Sequence, residues 1–354
     1  MKKMKRVSIV ILNWNGARML RRFLPSVLYN SDGAEVVVAD NASKDNSLEM
    51  VKSLYPSVRT ISMDRNYGFA EGYNKALELV DSEYYLLLNS DVEVGEGWLS
   101  PMLAYMDSHP EVAACQPKIL QYGGAGRFEY AGACGGYIDW LGYPFCRGRM
   151  LDTVEQDEGQ YDDVAQVTWA SGAALMIRRE IYWLAGGLDG KFFAHQEEID
   201  LCWRIRSMGY GIVCVPDSKV YHVGGGTLPK SSSIKTYLNF RNNLYMLYKN
   251  LPDGRLAMVM MCRLLLDALA SVHFVIKGDW ECFKAVWKAH RDYHRFKELM
   301  SEDKKRNLDR TKVPLDGILT HKSLLWQYYV RGRKTYREWF GSYTATDTRE
   351  SAQP

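Results

Sequence analysis

The sequence predicts an α/β fold with a parallel, doubly wound sheet, followed by a helical region. Over the first 90 residues, short apolar runs rich in β-branched residues alternate with segments of helical spacing, which is typical of such sheets. Three of these runs end in asparagine, aspartate or serine, as expected where a strand passes into a loop. The predicted strands are residues 7–12, 35–39, 58–61 and 84–88, and the predicted helices are residues 17–29 and 70–80.

The later part of the chain has a different character. Residues 115–165 are rich in glycine, aromatic and acidic residues and are interpreted as irregular loops with short strands. A helix is predicted over 197–207, and strands at 212–215 and just before His222. From residue 235 onward, apolar and aromatic residues recur at helical spacing. We therefore expect a sheet-containing domain over 1–234 and an amphipathic, basic helical region over 235–354.

Composition excludes several classes of protein. The 354 residues are 47% hydrophobic and 25% charged, which indicates a globular chain and not a disordered or collagen-like one. Lysine and arginine number 45 against 42 aspartate and glutamate residues, so the net charge of +3 is too balanced for a protein that coats nucleic acid. The seven cysteines include no C-x-x-C pair, so a disulfide framework is not expected and a reducing cytosol fits better.

No segment is predicted to cross a membrane. The N-terminal apolar run has six residues, shorter than a signal-peptide core. Residues 256–276 come closest to the ~20 apolar residues of a spanning helix, but Arg263 and Asp267 interrupt them. Residues 277–354 carry 17 lysine and arginine against 11 aspartate and glutamate residues, a net charge of +6. Such a region suits an anionic membrane surface; the alternative is helices that pack on the chain itself or on a partner subunit, as in a homodimer.

Two carboxylates follow predicted strands, where ligands of such sheets bind. Asp91 comes just after the strand 84–88 and is placed to hold a divalent cation against a diphosphate. The alternative is an Asx turn that closes the strand. Asp40 follows the strand 35–39 and is suited to bond a base or ribose, while Ser43 or Asp45 is expected to cap the next helix.

The segment 65–74 combines an arginine with two glycines, four residues apart, that open a predicted helix. Gly68 and Gly72 permit a positive φ and close approach of a ligand to the backbone. Free N–H groups at a helix start suit an anion, and Arg65 adds a planar fork for a phosphate or a base edge. The spacing differs from G-x-G-x-x-G, which disfavours NAD binding.

Three carboxylates, Glu197, Glu198 and Asp200, stand at the start of the predicted helix 197–207. Acids at a helix N-terminus compensate the helix dipole, but three together also crowd charge and raise a pKa, as a general base requires. On a helix, Glu197 and Asp200 share a face and Glu198 points about 100° away. We expect one acid to serve a site and another to orient Arg204, four residues after Asp200.

His222 follows a short strand and precedes the glycines 224–226, which predict a mobile loop beside it. Neutral imidazole is a good ligand for Mn²⁺ or Zn²⁺. The alternative is a structural histidine, which is the commoner role for a lone one.

Seven motifs occur in a fixed order along the chain. They are VSIVILNWNG, VVVADNASKDNS, RNYGFAEGYN, LLLNSDVEV, ASGAALMIRRE, EEIDLCWR and YHVGGGT. In this order they resemble glycosyltransferase family 2, most closely its bacterial rhamnosyltransferase-like members, which build surface polysaccharides. The resemblance covers residues 6–250, roughly two-thirds of the chain.

The resemblance implies a GT-A fold, a Rossmann-like, nucleotide-binding mixed sheet flanked by helices and merged with an acceptor-binding half. It also implies an inverting, metal-dependent transfer of rhamnose or a similar sugar from a dTDP- or UDP-linked donor, with Mg²⁺ or Mn²⁺ as cofactor. The acceptor would be a hydroxyl of a glycan or a polyprenol-linked glycan. Such a protein would be cytoplasmic or peripheral on the inner face of the plasma membrane, in cell-envelope polysaccharide synthesis.

By position, the resemblance assigns roles to individual residues. Asp91, the only acid of the motif NSD, and His222 would bind the metal. Glu198 stands where many relatives have an aspartate as base; it is one methylene longer, so Glu197 and Asp200 remain alternatives. The expected substrate-binding residues are Asn13, Asn15, Asp40, Arg65, Asn66, Gly68, Asn74, Ser90, Gly172 and Arg204, with Asp40 and Arg65 at the nucleobase and Gly172 beside the donor sugar.

Two other functions compete with this interpretation. A sugar-nucleotide pyrophosphorylase also uses an α/β nucleotide fold, but it would need a glycine-rich, basic loop after the first strand, and NWNGARML offers little of that. A catalytically weak nucleotide-sugar-binding scaffold subunit is compatible with the single acid of NSD. The acids at 197–200 and His222 argue against such a loss of activity.

Overall fold

The computed structural model describes residues 5–224 and 232–341; residues 225 and 226 of the predicted mobile loop lie outside this range. The strands are β1 (Lys5–Asn13), β2 (Glu35–Asp40), β3 (Arg59–Ser62), β4 (Ser82–Asn89), β5 (Val92–Val94), β6 (Val112–Gln121), β7 (Gly136–Asp139), β8 (Pro144–Cys146), β9 (Arg149–Met150), β10 (Thr153–Val154), β11 (Ala165–Gln166), β12 (Ala174–Arg178), β13 (Gly211–His222) and β14 (Leu319–Thr320). The α-helices are α1 (Ala17–Asn30), α2 (Ser47–Leu54), α3 (Gly68–Leu77), α4 (Leu99–Ser108), α5 (Arg179–Leu184), α6 (Glu197–Ser207), α7 (Ser233–Asn250), α8 (Asp253–Ile276), α9 (Trp280–Phe296), α10 (Ser301–Asp309) and α11 (Tyr336–Phe340).

The centre of the fold is a nine-stranded mixed sheet. Its strands run in the order β11-β13-β6-β12-β4-β1-β2-β3, and β5 pairs with β13. The strands β1 to β4 are parallel, as the alternating pattern predicts. The strand β12 is inserted antiparallel between β4 and β6. The sheet is therefore mixed, as the resemblance implies, and not wholly parallel.

The carboxyl ends of the parallel strands meet at one edge of this sheet. The strands β1, β2, β4, β6 and β13 point the same way, and the register places Asn13 beside Asp40. Asn89 ends β4 and His222 ends β13 at the same edge. Because β12 runs in the opposite direction, Gly172, which precedes it, also lies there. The fold thus collects polar residues that are far apart in the sequence.

Both faces of the sheet are covered, because its central strands bury side chains on both sides. In β1, Val10 belongs to one apolar cluster, and Ile9 and Ile11 belong to another. Helices α3, α6 and α7 complete the first cluster, and helices α1, α2 and α4 complete the second. This alternation explains why the strands read as continuous apolar runs.

A small second sheet joins the C-terminal part of the chain to the rest. Its order is β10-β9-β8-β7-β14, and β14 pairs in parallel with β7. The Thr168 hydroxyl donates to the Ile318 carbonyl at 2.9 Å, and the Leu324 amide donates to the Asp139 carboxylate at 2.8 Å. Helices α7 to α11 occupy most of the described chain after residue 235. A domain boundary at residue 234 stays a prediction.

Two predicted segments differ from the structure. The predicted helix 197–207 coincides with α6, but the interpretation of residues 115–165 as loops and short strands is wrong at its start, because β6 extends to Gln121. Pro117, a residue that central strands usually exclude, lies at a β-bulge where the register with β13 shifts between Val215 and Lys219. The strands predicted at 212–215 and before His222 are one strand, β13.

The expectation that no segment approaches a spanning length is wrong for α8. This helix has 24 residues and is long and apolar enough to cross a membrane, by length and composition only. Arg263 and Asp267 do not interrupt it, because both are buried and paired. Arg263 donates to Asn243 Oδ1, and Asp267 Oδ2 lies 2.9 Å from His290 Nε2.

Arg263→Met would leave Asp267 buried without its guanidinium partner. We expect the free energy of unfolding, measured by urea denaturation, to fall by about 3 kcal/mol. The matched control is Lys75→Met, which removes exposed ion pairs on α3 and should change that free energy by less than about 0.5 kcal/mol. Equal effects of the two substitutions would contradict the buried role of Arg263.

Candidate active site

The ends of β1 and β2 form a polar cluster. Asn13 Nδ2 donates to Asp40 Oδ1 at 2.8 Å and to the hydroxyls of Ser43 at 3.1 Å and Ser47 at 2.9 Å. Asp40 Oδ2 accepts from the Ser43 amide at 3.0 Å. The side-chain carbonyl oxygen of Asn13 is buried and has no hydrogen-bond partner. The cluster therefore holds Asp40 in place and leaves one buried acceptor unused.

The predicted capping of the next helix is wrong in its detail. Helix α2 begins at Ser47, and the residue before it, Asn46, makes no side-chain cap. Ser43 instead accepts from the amide of Asn15 at 2.8 Å. Asp45 does contribute, since its Oδ1 accepts from the Ser47 amide at 3.1 Å. The serine and aspartate thus shape the loop after β2 more than they begin the helix.

Asn15 and Arg65 differ in how their side chains are used. Asn15 has a φ of 52°, and its Oδ1 accepts from the Lys44 amide at 2.7 Å. Arg65 is exposed, and its guanidinium carbon lies 4.7 Å from the centre of the Tyr67 ring. Asn15 therefore joins two loops, whereas Arg65 and Tyr67 present a stacked pair at the surface.

Ser90 lies beside the loop that follows β1. A Cβ at Gly16 would lie 3.7 Å from Ser90 Oγ and 2.3 Å from Asn13 Oδ1. Ser90 and Asn13 are therefore close neighbours, and a glycine is required between them.

The start of α3 is not available to an anion, contrary to the prediction from its two glycines. The Phe193 carbonyl accepts from the amides of Phe69 at 2.7 Å and Ala70 at 3.2 Å. Asn66 Oδ1 accepts from the Gly68 amide at 2.8 Å. Gly68 has a φ of +76°, and a Cβ there would lie 2.5 Å from the Phe193 ring. This glycine permits close packing against the loop before α6.

Asn74 and Arg204 use their polar atoms inside the protein. Asn74 Nδ2 donates to the Leu188 carbonyl at 2.7 Å. Arg204 is buried, and donates through Nε to Asp200 at 2.9 Å and through Nη2 to the Gly187 carbonyl at 2.9 Å. Both residues fasten the loop that leads into α6. The prediction that an acid of α6 orients Arg204 is confirmed.

Asp91 and His222 are brought together where β4 and β13 end. His222 Nε2 lies 3.1 Å from Asp91 Oδ1, and Nδ1 lies 3.5 Å from Glu129 Oε1. Asn89 Nδ2 lies 3.4 Å from the same Nε2. The imidazole and both carboxylates are buried.

The electrostatics of this group place one positive charge between two carboxylates. Burial lowers the pKa of His222, but the hydrogen bonds and charges of Asp91 and Glu129 outweigh it and raise that pKa to about 10. Burial raises the pKa of Asp91, but the hydrogen bond and charge of His222 bring it below the usual value. The pair therefore attracts a proton strongly, and a metal cation would replace that proton.

The Asp91–His222 pair fits a divalent cation. Its donors, an imidazole nitrogen and a carboxylate oxygen 3.1 Å apart, are of the kinds that divalent cations bind. A carboxylate behind the second imidazole nitrogen, as Glu129 provides, is usual for a metal-bound histidine. Within residues 5–224 and 232–341, no group of three or more His, Cys, Asp or Glu side chains is arranged to hold a metal. Further ligands would therefore be water or phosphate oxygens.

The three acids of α6 lie in different surroundings. Glu197 is 3% exposed and Asp200 is 0% exposed, whereas Glu198 is partly exposed. This agrees with helical geometry, which puts Glu197 and Asp200 on one face and Glu198 on another. Of the three acids, only Glu198 has a partly exposed side chain.

The Asp200 carboxylate is fully used by buried donors. It accepts from Arg204 Nε at 2.9 Å, Lys249 Nζ at 2.8 Å and Asn250 Nδ2 at 2.9 Å. Two cations and an amide therefore compensate its burial. This carboxylate ties α6 to α7.

Glu197 and Glu198 each keep a buried carboxylate oxygen without a hydrogen-bond partner. Burial, followed by the charge of Glu198, raises the pKa of Glu197 well above its usual value. Burial also raises the pKa of Glu198, although backbone amides, including that of Gly172, oppose the shift. A raised pKa makes each carboxylate a stronger proton acceptor than an ordinary glutamate, which suits a general base.

A short series of contacts links the Asp91–His222 pair with Glu198. The Ala131 amide donates to Glu129 Oε2 at 2.6 Å, and the Ser171 hydroxyl donates to the Ala131 carbonyl at 2.7 Å. The backbone of Gly172 adjoins Glu198 and is one of the groups that oppose the rise in the pKa of its carboxyl. A Cβ at Gly172 would lie 3.7 Å from Glu198 Cβ. The two groups therefore lie at the same edge of the sheet.

Two further residues belong to the site although the sequence does not single them out. No sequence feature marks Glu129 as a site residue, because it lies in a segment interpreted as loops and short strands. Asn41 directly follows Asp40, and its side chain accepts from the Tyr67 amide at 2.9 Å and donates to the Gly68 carbonyl at 2.8 Å. Its place at the end of a strand is the signal that could have found it.

The loop before α6 is held in an unusual conformation by α7. Phe193, His195 and Gln196 have φ values of 65°, 71° and 72°, which residues other than glycine rarely adopt. Asn242 donates to the carbonyls of residues 192, 194 and 195 at 2.7–3.0 Å. Asn243 donates to Gln196 Oε1 at 3.1 Å. These bonds compensate the backbone strain and set the direction in which α6 begins.

A family model described as glycosyl transferase family 2 matches residues 8–183. This chain is a family 2 glycosyltransferase. The match begins in β1 and ends in α5, so it includes the polar ends of β1, β2 and β4. It stops before the acids of α6 and before His222.

A relative of this glycosyltransferase is the N-acetylglucosaminyl-diphospho-decaprenol L-rhamnosyltransferase of Mycobacterium tuberculosis. The two are 26% identical over 230 residues, which are 60% of this chain and 75% of the relative.

Two solved structures share the fold of this glycosyltransferase. GalNAc-T7, crystallised with UDP, GalNAc and Mn²⁺, matches with a TM-score of 0.56 at 18% identity, over 72% of this chain and 49% of its own. The mannosyltransferase PcManGT from Pyrobaculum calidifontis, in complex with GDP-Man and Mn²⁺, matches with a TM-score of 0.50 at 14% identity, over 82% and 87%. The fold is therefore GT-A. The glycosyltransferase spans about half the length of the GalNAc-T7 chain.

Glu197→Gln removes a buried carboxylate whose folded-state pKa lies above its unfolded value. Such a group destabilises the fold as pH rises through the ordinary glutamate pKa, because the unfolded chain releases the proton first. We expect the variant to melt at a higher temperature than the wild type at about pH 8, with a smaller difference at about pH 5. Thermal melts followed by circular dichroism measure both.

The matched control for this substitution is Asp200→Asn. Because the Asp200 carboxylate pairs with Arg204 and Lys249, its loss should lower the free energy of unfolding by about 3 kcal/mol. A Glu197→Gln variant that melts below the wild type at about pH 8 would show that Glu197 has a stabilising partner.

Proposed function

We propose that this glycosyltransferase moves a sugar from a nucleotide-diphosphate donor to a hydroxyl of a glycan acceptor, with inversion at the anomeric carbon. The observation that carries the proposal is that the Glu198 carboxylate, one oxygen of which has no hydrogen-bond partner, and the Asp91–His222 pair lie at the same edge of the sheet. A direct displacement needs a proton acceptor and a stabilised leaving group, and these two groups suit those roles.

The nucleotide half of the donor is proposed to lie over the ends of β1 and β2. Asp40 is held by Asn13, and the exposed Arg65 stacks on Tyr67, so the two sides of a base would meet a carboxylate and a planar cation. Ser90 lies beside this cluster, and Asn15 shapes its loop. Asn66 and Gly68 would contribute to donor binding indirectly, by shaping the loop before α3. Asn74 and Arg204 would do so by holding the loop before α6.

Asp91 and His222 are proposed to hold Mg²⁺ or Mn²⁺ together with phosphate oxygens of the donor. When bound, such a cation supplies positive charge that stabilises the departing diphosphate. Glu129 faces Nδ1 of the imidazole at 3.5 Å and would orient the ring. His222 must be neutral to serve as a ligand, so acid competes with metal binding at this site.

Glu198 is proposed as the general base. Its raised pKa makes it a stronger proton acceptor, and its partial exposure leaves it accessible to an acceptor hydroxyl. The carboxylate takes the hydroxyl proton as the acceptor oxygen bonds to the anomeric carbon and the diphosphate leaves from the opposite face. This single displacement requires no enzyme nucleophile. Glu197 is too buried to reach an acceptor, and Asp200 serves the fold.

We further propose a dTDP- or UDP-linked sugar such as rhamnose as donor and a polyprenol-linked glycan as acceptor. The support is the relative from Mycobacterium tuberculosis, whose name states an N-acetylglucosaminyl-diphospho-decaprenol acceptor and transfer of L-rhamnose. An acceptor of this kind resides in a membrane, so the glycosyltransferase would act at the inner face of the plasma membrane. A non-catalytic scaffold would have no use for two carboxylates that each keep a buried oxygen without a partner, because such an oxygen costs stability.

Glu198→Gln is expected to lower transfer by a factor of about 10²–10⁴, since the amide cannot accept the proton. The variant should still bind the donor, because the side chain keeps its size. Release of nucleotide from dTDP- and UDP-sugars, with a synthetic N-acetylglucosaminyl-diphospho-lipid acceptor, measures transfer, and calorimetry measures binding. Glu197→Gln is the matched control and should lose less activity. Normal transfer by Glu198→Gln would refute the assignment.

Asp91→Ala is expected to abolish the thermal stabilisation that a dTDP- or UDP-sugar with Mn²⁺ gives to the wild type, because selective binding stabilises the native state. Asp32→Ala, at an exposed aspartate before β2, is the control and should keep the stabilisation. Transfer by the wild type that persists in EDTA would overturn the metal site and leave the assignment of Glu198 untouched.

A further inference from the structure

Helix α8 presents an apolar stripe to its outer side. Its members are large side chains with exposed fractions of 46–77%, namely Met258, Met261, Leu265, Leu269, Val272 and Ile276. At 100° per residue they fall within roughly 80° of arc, along about 27 Å of helix. A soluble helix normally turns such a stripe toward the protein.

The opposite face of α8 carries the polar groups and is buried. Arg263 and Asp267 lie there, bonded to Asn243 of α7 and His290 of α9, and Tyr143 donates to Asp267 at 3.3 Å. Only 22% of the most apolar 18-residue stretch of α8 is buried. The helix is therefore attached to the protein by its polar side and exposes its apolar side.

Helix α9 packs on α8 and presents a basic stripe. Lys284, Lys288, Arg291 and Arg295 are exposed and fall within roughly 60° of arc. Glu281 pairs with Lys284 at 2.9 Å, so the stripe keeps a net positive charge.

Two exposed tryptophans and a groove adjoin the basic stripe. Trp280 is 56% exposed and Trp287 is 41% exposed. A groove of about 780 Å³ between the start of α7 and α9 is lined by Tyr237, Trp287, Lys288 and Arg291, among other residues. Its lining combines cations with aromatic rings, which suits the phosphate and glycerol region of a lipid headgroup.

We propose that α8 and α9 form a docking surface for an anionic lipid bilayer. The apolar stripe of α8 would enter the headgroup–acyl boundary, and the basic stripe and groove of α9 would bind lipid phosphates. An apolar face beside lysine, arginine and tryptophan is the composition of helices that lie in a membrane interface. The inference deepens the proposed function, since it names the surface by which the glycosyltransferase would meet a membrane, and it holds whichever acid is the base.

Two alternatives to this docking surface are that α8 crosses the bilayer and that a second copy of the chain covers α8. The contacts and charges of the two helices argue against both. A helix that crossed the bilayer would carry the buried Arg263–Asp267 pair into lipid and break its bonds to α7 and α9. A second copy of the chain would cover the apolar stripe of α8 but would leave the positive charge of α9 without a complement. An anionic membrane complements both stripes at once.

The test is flotation of the full chain with vesicles of phosphatidylcholine alone, or of phosphatidylcholine mixed with phosphatidylglycerol. We expect binding to the mixed vesicles, weakened by high salt, and little binding to the neutral ones. Leu265→Glu/Leu269→Glu and Lys288→Glu/Arg291→Glu should each weaken binding at least about tenfold. The matched control is Leu54→Glu/Leu79→Glu, at two leucines that are 53% and 58% exposed elsewhere; it should bind like the wild type.

Three results would overturn the proposal. One is a wild type that floats with neither kind of vesicle, and another is binding that the α8 substitutions leave unchanged. The third is a dimer in sedimentation velocity that Leu265→Glu/Leu269→Glu converts to a monomer, which would make the surface a self-interface. Thermal melts establish that the variants fold. If the double variant of α8 does not fold, the single and milder change Leu269→Gln takes its place. We expect Leu269→Gln to bind vesicles more weakly than the wild type. Flotation needs no catalysis, so a failed transfer assay leaves this result intact.

Discussion

The buried carboxylate of Asp200 is the contact on which the arrangement of the site depends. It binds Lys249 and Asn250 of α7 and Arg204 of its own helix, and these bonds fix the rotation of α6 about its axis. Since each residue advances by 100°, Glu198 is turned 200° away from Asp200 and faces Gly172. A structural ion pair thus determines which of three neighbouring acids is accessible. The orientation of α6 therefore depends on two residues of α7 that lie 49 and 50 positions after Asp200.

The loop before α6 depends on the same helix. Three of its residues have left-handed backbone conformations, which would relax without the bonds from Asn242 and Asn243. The family model ends at residue 183, yet α7 shapes the acidic end of the site. The C-terminal helices are therefore part of the site's framework, whatever else their outer surface binds.

The edge of the sheet that holds the site carries more carboxylates than cations, and this excess of negative charge lowers the stability of the fold when no ligand is bound. Glu197 and Glu198 have no cationic partner among the described residues, and Asp91 and Glu129 share the single imidazole of His222. Such unpaired charge costs stability and is typical of functional sites, where a ligand supplies what the fold lacks. The part of this edge at the ends of β1 and β2 is different. There, hydrogen bonds from Asn13 and from the Ser43 amide compensate the burial of the Asp40 carboxylate.

The sequence predicted the parallel strands β1 to β4, the helix α6 and the positions of the polar strand ends, because local periodicity and turn residues specify these features. It also indicated that Glu198 lies on a different face from Glu197 and Asp200. Only the tertiary structure decided that Glu129 supports His222, that the amides at the start of α3 are occupied by Phe193, and that Arg263 and Asp267 turn inward while the leucines of α8 turn outward. Each of these depends on contacts between distant parts of the chain, and a pattern along one segment carries no information about its partner. The periodicity of α8 shows that it has two faces, but packing alone decides which face the protein buries.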